Sequence, residues 1–125
     1  MSHLNIADNQ DVVVVTFNEA RILDETTIQK IGAEFTKLTT EAAADHKLLL
    51  SFQRVTFMSS AMLGQILRLS KQAKADKIHL KLSDIAPDIM EVFRITKLNK
   101  VLEIHPTAAD ALAAFGPPRK SWFGR

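Results

Sequence analysis

Apolar and polar residues follow two different periods along the chain, and these predict strands and helices in turn. Residues 12–17, VVVVTF, form a β-branched run that is typical of a strand covered on both faces. Apolar residues at positions 28, 31, 35 and 38 are instead spaced by three and four, which predicts a helix with one buried face. Asp24 stands where an N-cap is expected. We therefore predict a strand over 12–17 and a helix from Asp24 to about residue 44.

The rest of the chain continues this alternation. A weak alternation at residues 4–6 predicts a short first strand, and Ile22 with Leu23 closes a short extended piece. Further strands are predicted over 47–52, 78–82 and 101–104, and further helices over 61–75, 87–96 and 108–115. Strands that alternate with helices imply parallel pairing, whereas the first two strands are close enough to pair antiparallel. We predict an α/β fold with a mixed, mostly parallel sheet of four to five strands and about four helices.

Composition indicates one soluble domain, predicted to span residues 1–115, followed by a basic and aromatic C-terminal tail over 116–125. The hydrophobic share is 46%, the charged share is 24%, and cysteine is absent. Neither a membrane-spanning run nor a secretion signal is recognisable, so we expect a cytoplasmic protein without stable membrane association. Removing the tail's three cations from the net charge of +2 leaves −1, which does not favour a nucleic-acid partner.

The sequence shows no pattern typical of an enzyme. The four histidines lie far apart, and none has a partner at a metal-ligand spacing. A glycine-rich phosphate loop and a Gly-x-Ser-x-Gly elbow are both missing. Asp84 and Asp88 flank a proline at a predicted helix start, where helix capping explains them. We therefore predict no catalytic residues, no metal and no cofactor.

The most informative segment is 47–69, KLLLSFQRVTFMSSAMLGQILRL, where a buried strand leads through an apolar loop to Ser59 and Ser60. Two hydroxyl groups at a strand-to-helix junction lie beside the unpaired amides of a helix N-terminus. From the residues alone, Ser60 is predicted to be a plain N-cap, with Ser59 as the alternative cap, although such a position can also receive a phosphate. Gly64 lies inside the predicted helix, and close packing of that helix on the sheet would explain it.

Residues 51–64, SFQRVTFMSSAMLG, resemble a STAS domain. This family includes bacterial anti-sigma factor antagonists and the cytoplasmic part of sulfate transporters. The resemblance covers roughly residues 4–115, and its order of strands and helices agrees with the one predicted above. Further similar segments are LKLSDIAP at 80–87, VFRITKL at 92–98, LEIHPT at 102–107 and DAL at 110–112.

The resemblance implies a regulatory function and a site for it. In antagonist members, the anti-sigma factor is itself a kinase and phosphorylates one serine of the antagonist. The matching residue here is Ser60, and Ser59 is the fallback acceptor. The unphosphorylated antagonist binds that kinase and frees the sigma factor, and any ATP belongs to the partner. If Met62 is exposed, it would add an adaptable contact surface. The partner-binding residues implied in this way are Met58, Ser59, Ser60, Ala61, Met62 and Leu63.

Three residues depart from the family pattern and leave an alternative open. Ser59 replaces the usual Asp, Ala61 the usual Ser or Thr, and Met62 the usual Gly. The alternative is a STAS scaffold without a phosphoswitch, or a subunit of a signalling assembly or a lipid-transport ATPase. The sequence also leaves a homodimer open. Two rows of cations are predicted to lie on solvent-exposed helix faces, and contact with an acidic partner is the minor alternative. The rows are Arg68, Lys71 and Lys74, and Arg94, Lys97 and Lys100.

Overall fold

Five strands form one mixed sheet, as predicted. The computed structural model describes residues 3–9, 11–42 and 46–115, so the predicted tail lies outside the described residues. In spatial order the sheet contains β1 (Leu4–Asn9), β2 (Val12–Phe17), β4 (Lys47–Ser51), β6 (His79–Ser83) and β7 (Glu103–His105). The pair β1 and β2 is antiparallel, and the other neighbouring pairs are parallel. The described helices are α1 (Glu25–Ala42), α2 (Ser60–Ala75), α3 (Pro87–Ile95) and α4 (Ala108–Ala114).

Two short elements were not predicted as a sheet. β3 (Arg21–Ile22) pairs in parallel with β5 (Phe57–Met58), next to the ends of β2 and β4. Two-residue strands are too short to show a period, so their pairing is set by the elements that precede them. The last strand also starts two residues later than expected, because Leu98–Lys100 forms a 3-10 turn.

Helices cover both faces of the sheet. α1, α2 and α3 pack on one face and form the main core with the inward residues of the strands. Within that core, the ring of Phe17 stacks on Phe52 at 4.8 Å between centroids and meets Phe35 edge-on at 6.2 Å. α4 covers part of the opposite face. The predicted cap of α1 is confirmed, because the Thr27 N–H donates to Asp24 Oδ2 at 3.0 Å.

A charged cluster lies under α4. Lys81 on β6 is buried, and its ammonium donates a hydrogen bond to the Glu103 carboxylate. The same ammonium lies 4.9 Å from the centroid of the Phe115 ring, a cation–π contact. The hydrogen bond from Lys81 holds the pKa of Glu103 below its ordinary value of 4.5. The charge of the buried Lys81 is therefore balanced by the half-exposed carboxylate of Glu103.

Glu103→Gln is expected to lower the urea midpoint of unfolding at about pH 7, with a smaller difference at about pH 3. The folded pKa of Glu103 is depressed, so its stabilisation is present above the unfolded pKa and is lost as the pH falls through the folded pKa. Urea titrations of both proteins at the two pH values measure this. A difference that stays constant with pH would show that the carboxylate charge is not what stabilises Lys81.

Candidate functional site

The two serines at the start of α2 occupy different environments. Ser59 takes the N-cap position, with φ −79° and ψ 166°, but its side chain makes no capping hydrogen bond. Its Oγ is shielded from solvent and has no partner among the described residues. Ser60 is the first residue of the helix, and its side chain is exposed. Of the two caps that the sequence offered, Ser60 is wrong and Ser59 is correct in position, and Ser60 is the residue exposed to solvent.

The junction is held in place by backbone hydrogen bonds. The Ser59 N–H donates to the Ile22 carbonyl at 3.0 Å, which extends the pairing of β3 with β5 by one residue. The Met62 N–H donates to the Ser59 carbonyl at 3.0 Å and closes the first helical turn. The amides of Ser60 and Ala61 precede the first intrahelical donor and so point out of the helix end. The position of Ser60 is thus fixed by the sheet and does not depend on its own side chain.

Electrostatics at this helix end favour an anion. The first turn of α2 contains no acidic residue. The helix macrodipole places partial positive charge at the N-terminus, close to the Ser60 hydroxyl. A phosphate on Ser60 would therefore be tolerated in the free domain, which is a requirement for a modification that leaves the fold intact.

The residues that the sequence predicted around the serines divide into exposed and buried groups. Ala61 is exposed beside Ser60. Met62 is fully buried in the main core, so it does not provide the adaptable surface that an exposed methionine would form. Met58 and Leu63 are also largely buried. Among the predicted partner-binding residues, Ser60 and Ala61 are therefore the exposed ones.

An apolar cleft that the sequence did not predict lies between this segment and α3, and we call it the α3 cleft. Phe57, Met58 and Leu63 form one wall, while Asp88, Ile89 and Val92 form the other. The exposed fraction is 46% for Phe57 and 41% for Val92. The Arg21 guanidinium lies 5.4 Å from the centroid of the Phe57 ring. The large apolar side chain of Phe57 is thus presented to solvent three residues before Ser60.

Two apolar residues on the segments beside the α3 cleft in the sequence are exposed as well. Ile95, three residues beyond Val92 on α3, is 72% exposed. Leu23 is also exposed, and it directly follows Ile22, whose carbonyl accepts the hydrogen bond from the Ser59 N–H. Exposed apolar residues that line one concavity, as Phe57 and Val92 do here, are typical of interaction sites on soluble domains. The sequence did carry one signal for the exposed apolar residues of α3. This helix buries only Ile89 and Phe93, yet it contains further apolar residues that a single buried face does not need.

Gly64 does not have the packing function expected from the sequence. It lies on the exposed side of α2, and an added Cβ would meet no atom within 4 Å. Close approach occurs instead at Gly32 on α1, where a Cβ would lie 2.5 Å from Gln65 Oε1. The expectation of tight packing at Gly64 is therefore wrong.

Gly64→Ala is expected to raise the free energy of unfolding by about 0.5–1 kcal/mol, because alanine favours the helix and meets no steric obstacle. Chemical denaturation of both proteins measures the change. Destabilisation by Gly64→Ala would contradict the open environment at this position.

Groups suited to metal chemistry do not converge in the part of the chain that the structure describes. No cluster of three or more His, Asp or Glu side chains could hold a metal ion there. His3 contacts Glu19, and His105 contacts Glu103, at separate places in the fold. Among the helices of the described ranges, none combines the length and apolar character needed to cross a membrane.

Comparison with known proteins identifies the family. A STAS domain profile matches residues 3–111, and the chain belongs to this family. A STAS domain protein from Planctomyces limnophilus has a TM-score of 0.75 at 22% identity, covering 93% of this chain and 99% of that one. An anti-sigma factor antagonist from Mycobacterium paratuberculosis scores 0.78 at 20% identity, covering 89% and 91%. Phosphorylated SpoIIAA, a Bacillus cell fate determinant, scores 0.67 at 18% identity, covering 90% and 98%. Identities this low show a shared fold.

Proposed function

We propose that this protein is a bacterial, cytoplasmic anti-sigma factor antagonist. It binds an anti-sigma factor kinase through Ser60, Ala61 and the α3 cleft, and phosphorylation of Ser60 releases the partner. The observation that carries the proposal is the exposed residue Ser60 at the N-terminus of α2, three residues after the exposed Phe57, which lines the α3 cleft together with Val92. The family membership and the fold shared with anti-sigma factor antagonists support it.

The geometry favours Ser60 over Ser59 as the acceptor. A kinase must reach the hydroxyl oxygen, and the Ser59 Oγ is shielded from solvent while the Ser60 side chain is exposed. Phosphate transfer to Ser59 would require the first turn of α2 to open. The sequence contains no glycine-rich phosphate-binding loop. In this proposal, the partner kinase therefore binds the ATP that supplies the phosphate.

Phosphorylation would weaken binding through charge and desolvation. It adds about −1.5 to −2 charge beside an apolar surface. In the complex this dianion would lose water without gaining an ion partner from Phe57 or Val92. Asp88 on the opposite wall of the α3 cleft adds like charge. The free domain accommodates the phosphate at the helix end, so the equilibrium shifts towards dissociation.

Incubation of the intact protein with its anti-sigma kinase and ATP is expected to place one phosphate on Ser60. Mass spectrometry of proteolytic peptides locates the phosphate. Ser60→Ala should abolish the modification, and the matched control Ser59→Ala should retain it. Phosphate on Ser59 alone, or an unmodified protein with an active kinase, would overturn the proposed switch.

The family departures favour a second candidate, a STAS scaffold or subunit without a phosphoswitch. Ser59 occupies the position of the family's Asp, and its hydroxyl makes no hydrogen bond within the described part of the chain. A carboxylate that could orient the neighbouring hydroxyl is therefore missing from that position. Affinity capture distinguishes the candidates, since recovery of a transporter ATPase or a large homomeric assembly, without a kinase, would favour the scaffold.

A further inference from the structure

A second concave surface lies at the other end of α2 from Ser60, and we call it the basic groove. It is an open groove of about 440 Å³ between the end of α2, the start of β6 and the segment that leads into β7. Lys74, Lys77 and His79 line it together with the apolar residues Leu80 and Val101. Val101 is 62% exposed. The basic groove therefore combines cations with an accessible apolar contact.

The positive charge of the basic groove is not neutralised by nearby acids of the described chain. Lys74 and Lys77 form no ion pair with any residue that the structure describes. The groove includes the Glu103 carboxylate, but this group already accepts hydrogen bonds from Lys81 and His105. Asp76 lies at the same helix end but does not line the groove; its carboxylate, which accepts a hydrogen bond from the neutral Gln72, offsets one lysine charge and leaves a net positive charge. The groove is thus complementary to an acidic ligand.

The backbone at Lys77 is left-handed, as it is at three other non-glycine residues of the described chain. Lys77 follows α2 with φ 61°, in the left-handed region, where glycine is the usual residue at a helix end. A side chain costs about 1 kcal/mol in that conformation. The lysine therefore retains a cation at the basic groove in a conformation that glycine would adopt more easily.

The position of the basic groove favours an extended polypeptide as its occupant. Among the described strands, β7 lies at the edge of the sheet and pairs with β6; the groove contacts its first residue, Glu103, and Val101 just before it. An edge strand and an adjacent groove suit an extended segment. A membrane surface would instead be met by protruding apolar side chains, whereas Leu80 is partly buried in a concavity.

We propose that the basic groove binds an extended acidic segment of a second protein, distinct from the anti-sigma kinase, with an apolar side chain of that segment placed against Val101. Lys74 lies fourteen residues after Ser60 on α2, which is about 21 Å along a helix. The two surfaces are far enough apart to be occupied together. The inference rests on its own residues, so it stands or falls independently of phosphorylation at Ser60.

Fluorescence anisotropy of a labelled peptide of glutamates with two internal leucines, added to the intact protein, tests this proposal. Lys74→Glu with Lys77→Glu is expected to weaken binding by about tenfold or more, because two attractions become repulsions. The matched control is Lys30→Glu with Lys37→Glu on α1, where both lysines are exposed, and it should change binding less than about twofold. Equal loss in both double variants, or no binding by the intact protein, would overturn the proposal.

Two further measurements exclude a trivial loss of folding and a lipid ligand. Lys77→Gly should raise the thermal midpoint and still weaken peptide binding about threefold, because it relieves the backbone and removes one cation. Unchanged binding by Lys77→Gly would contradict the function assigned to this side chain. Sedimentation with anionic phosphatidylserine vesicles is expected to leave the protein in the supernatant, and binding to vesicles without binding to the peptide would refute the peptide assignment.

Discussion

Phe17→Ala is expected to lower the free energy of unfolding by about 4 kcal/mol. Phe17 is fully buried, stacks on Phe52 and meets Phe35 edge-on, so its removal leaves a cavity where the sheet meets the helices. Domains of this size are stable by about 5–15 kcal/mol, so the variant should lose between about a quarter and most of its stability. Urea denaturation followed by circular dichroism measures the change.

The matched control for Phe17→Ala is Phe57→Ala, which makes the same chemical change on an exposed ring. Its loss of stability should stay below about 1 kcal/mol, because little buried volume is removed. Equal destabilisation by the two variants would contradict the assignment of Phe17 to the core and of Phe57 to the surface.

Val92→Asp is expected to weaken binding of the anti-sigma partner by about a hundredfold, with little effect on folding. The substitution places an unpaired carboxylate in the α3 cleft, where Asp88 already contributes negative charge. Val92 is exposed in the free domain, so the unbound protein can hydrate the new charge. Isothermal titration calorimetry with the purified kinase gives the affinity, and urea denaturation gives the stability.

Val101→Asp provides a matched control for Val92→Asp. Val101 is also an exposed valine, but it lies in the basic groove at the far end of α2. We expect it to leave the affinity for the kinase unchanged within about twofold. If both variants lose the kinase equally, or neither does, the α3 cleft is not the partner surface.

The order of strands and helices could be predicted because its signals are local. The β-branched run of β2 and the spacing of apolar residues in α1 each encode one element, and Asp24 marks a helix start with a short-range hydrogen bond. The five-stranded sheet and the four helices of the described chain follow from these patterns.

Features that depend on packing between distant segments could not be predicted. The pairing of β3 with β5 moves the helix start to Ser60 and makes Ser59 the N-cap. Whether Met62 and Gly64 face the core or solvent depends on how α2 rotates on the sheet. The exposure of Val92 depends on where α3 lies relative to β5. In each case the residue can be singled out in the sequence, but its burial and its neighbours are known only from the tertiary structure.

The most direct test of the proposed function is the affinity of the anti-sigma kinase for two forms of this protein, unmodified and quantitatively phosphorylated on Ser60. Calorimetric titrations without ATP compare them under identical conditions. The account predicts that the phosphorylated form binds at least about a hundredfold more weakly, a difference of about 2.7 kcal/mol. Equal affinity of the two forms would contradict it.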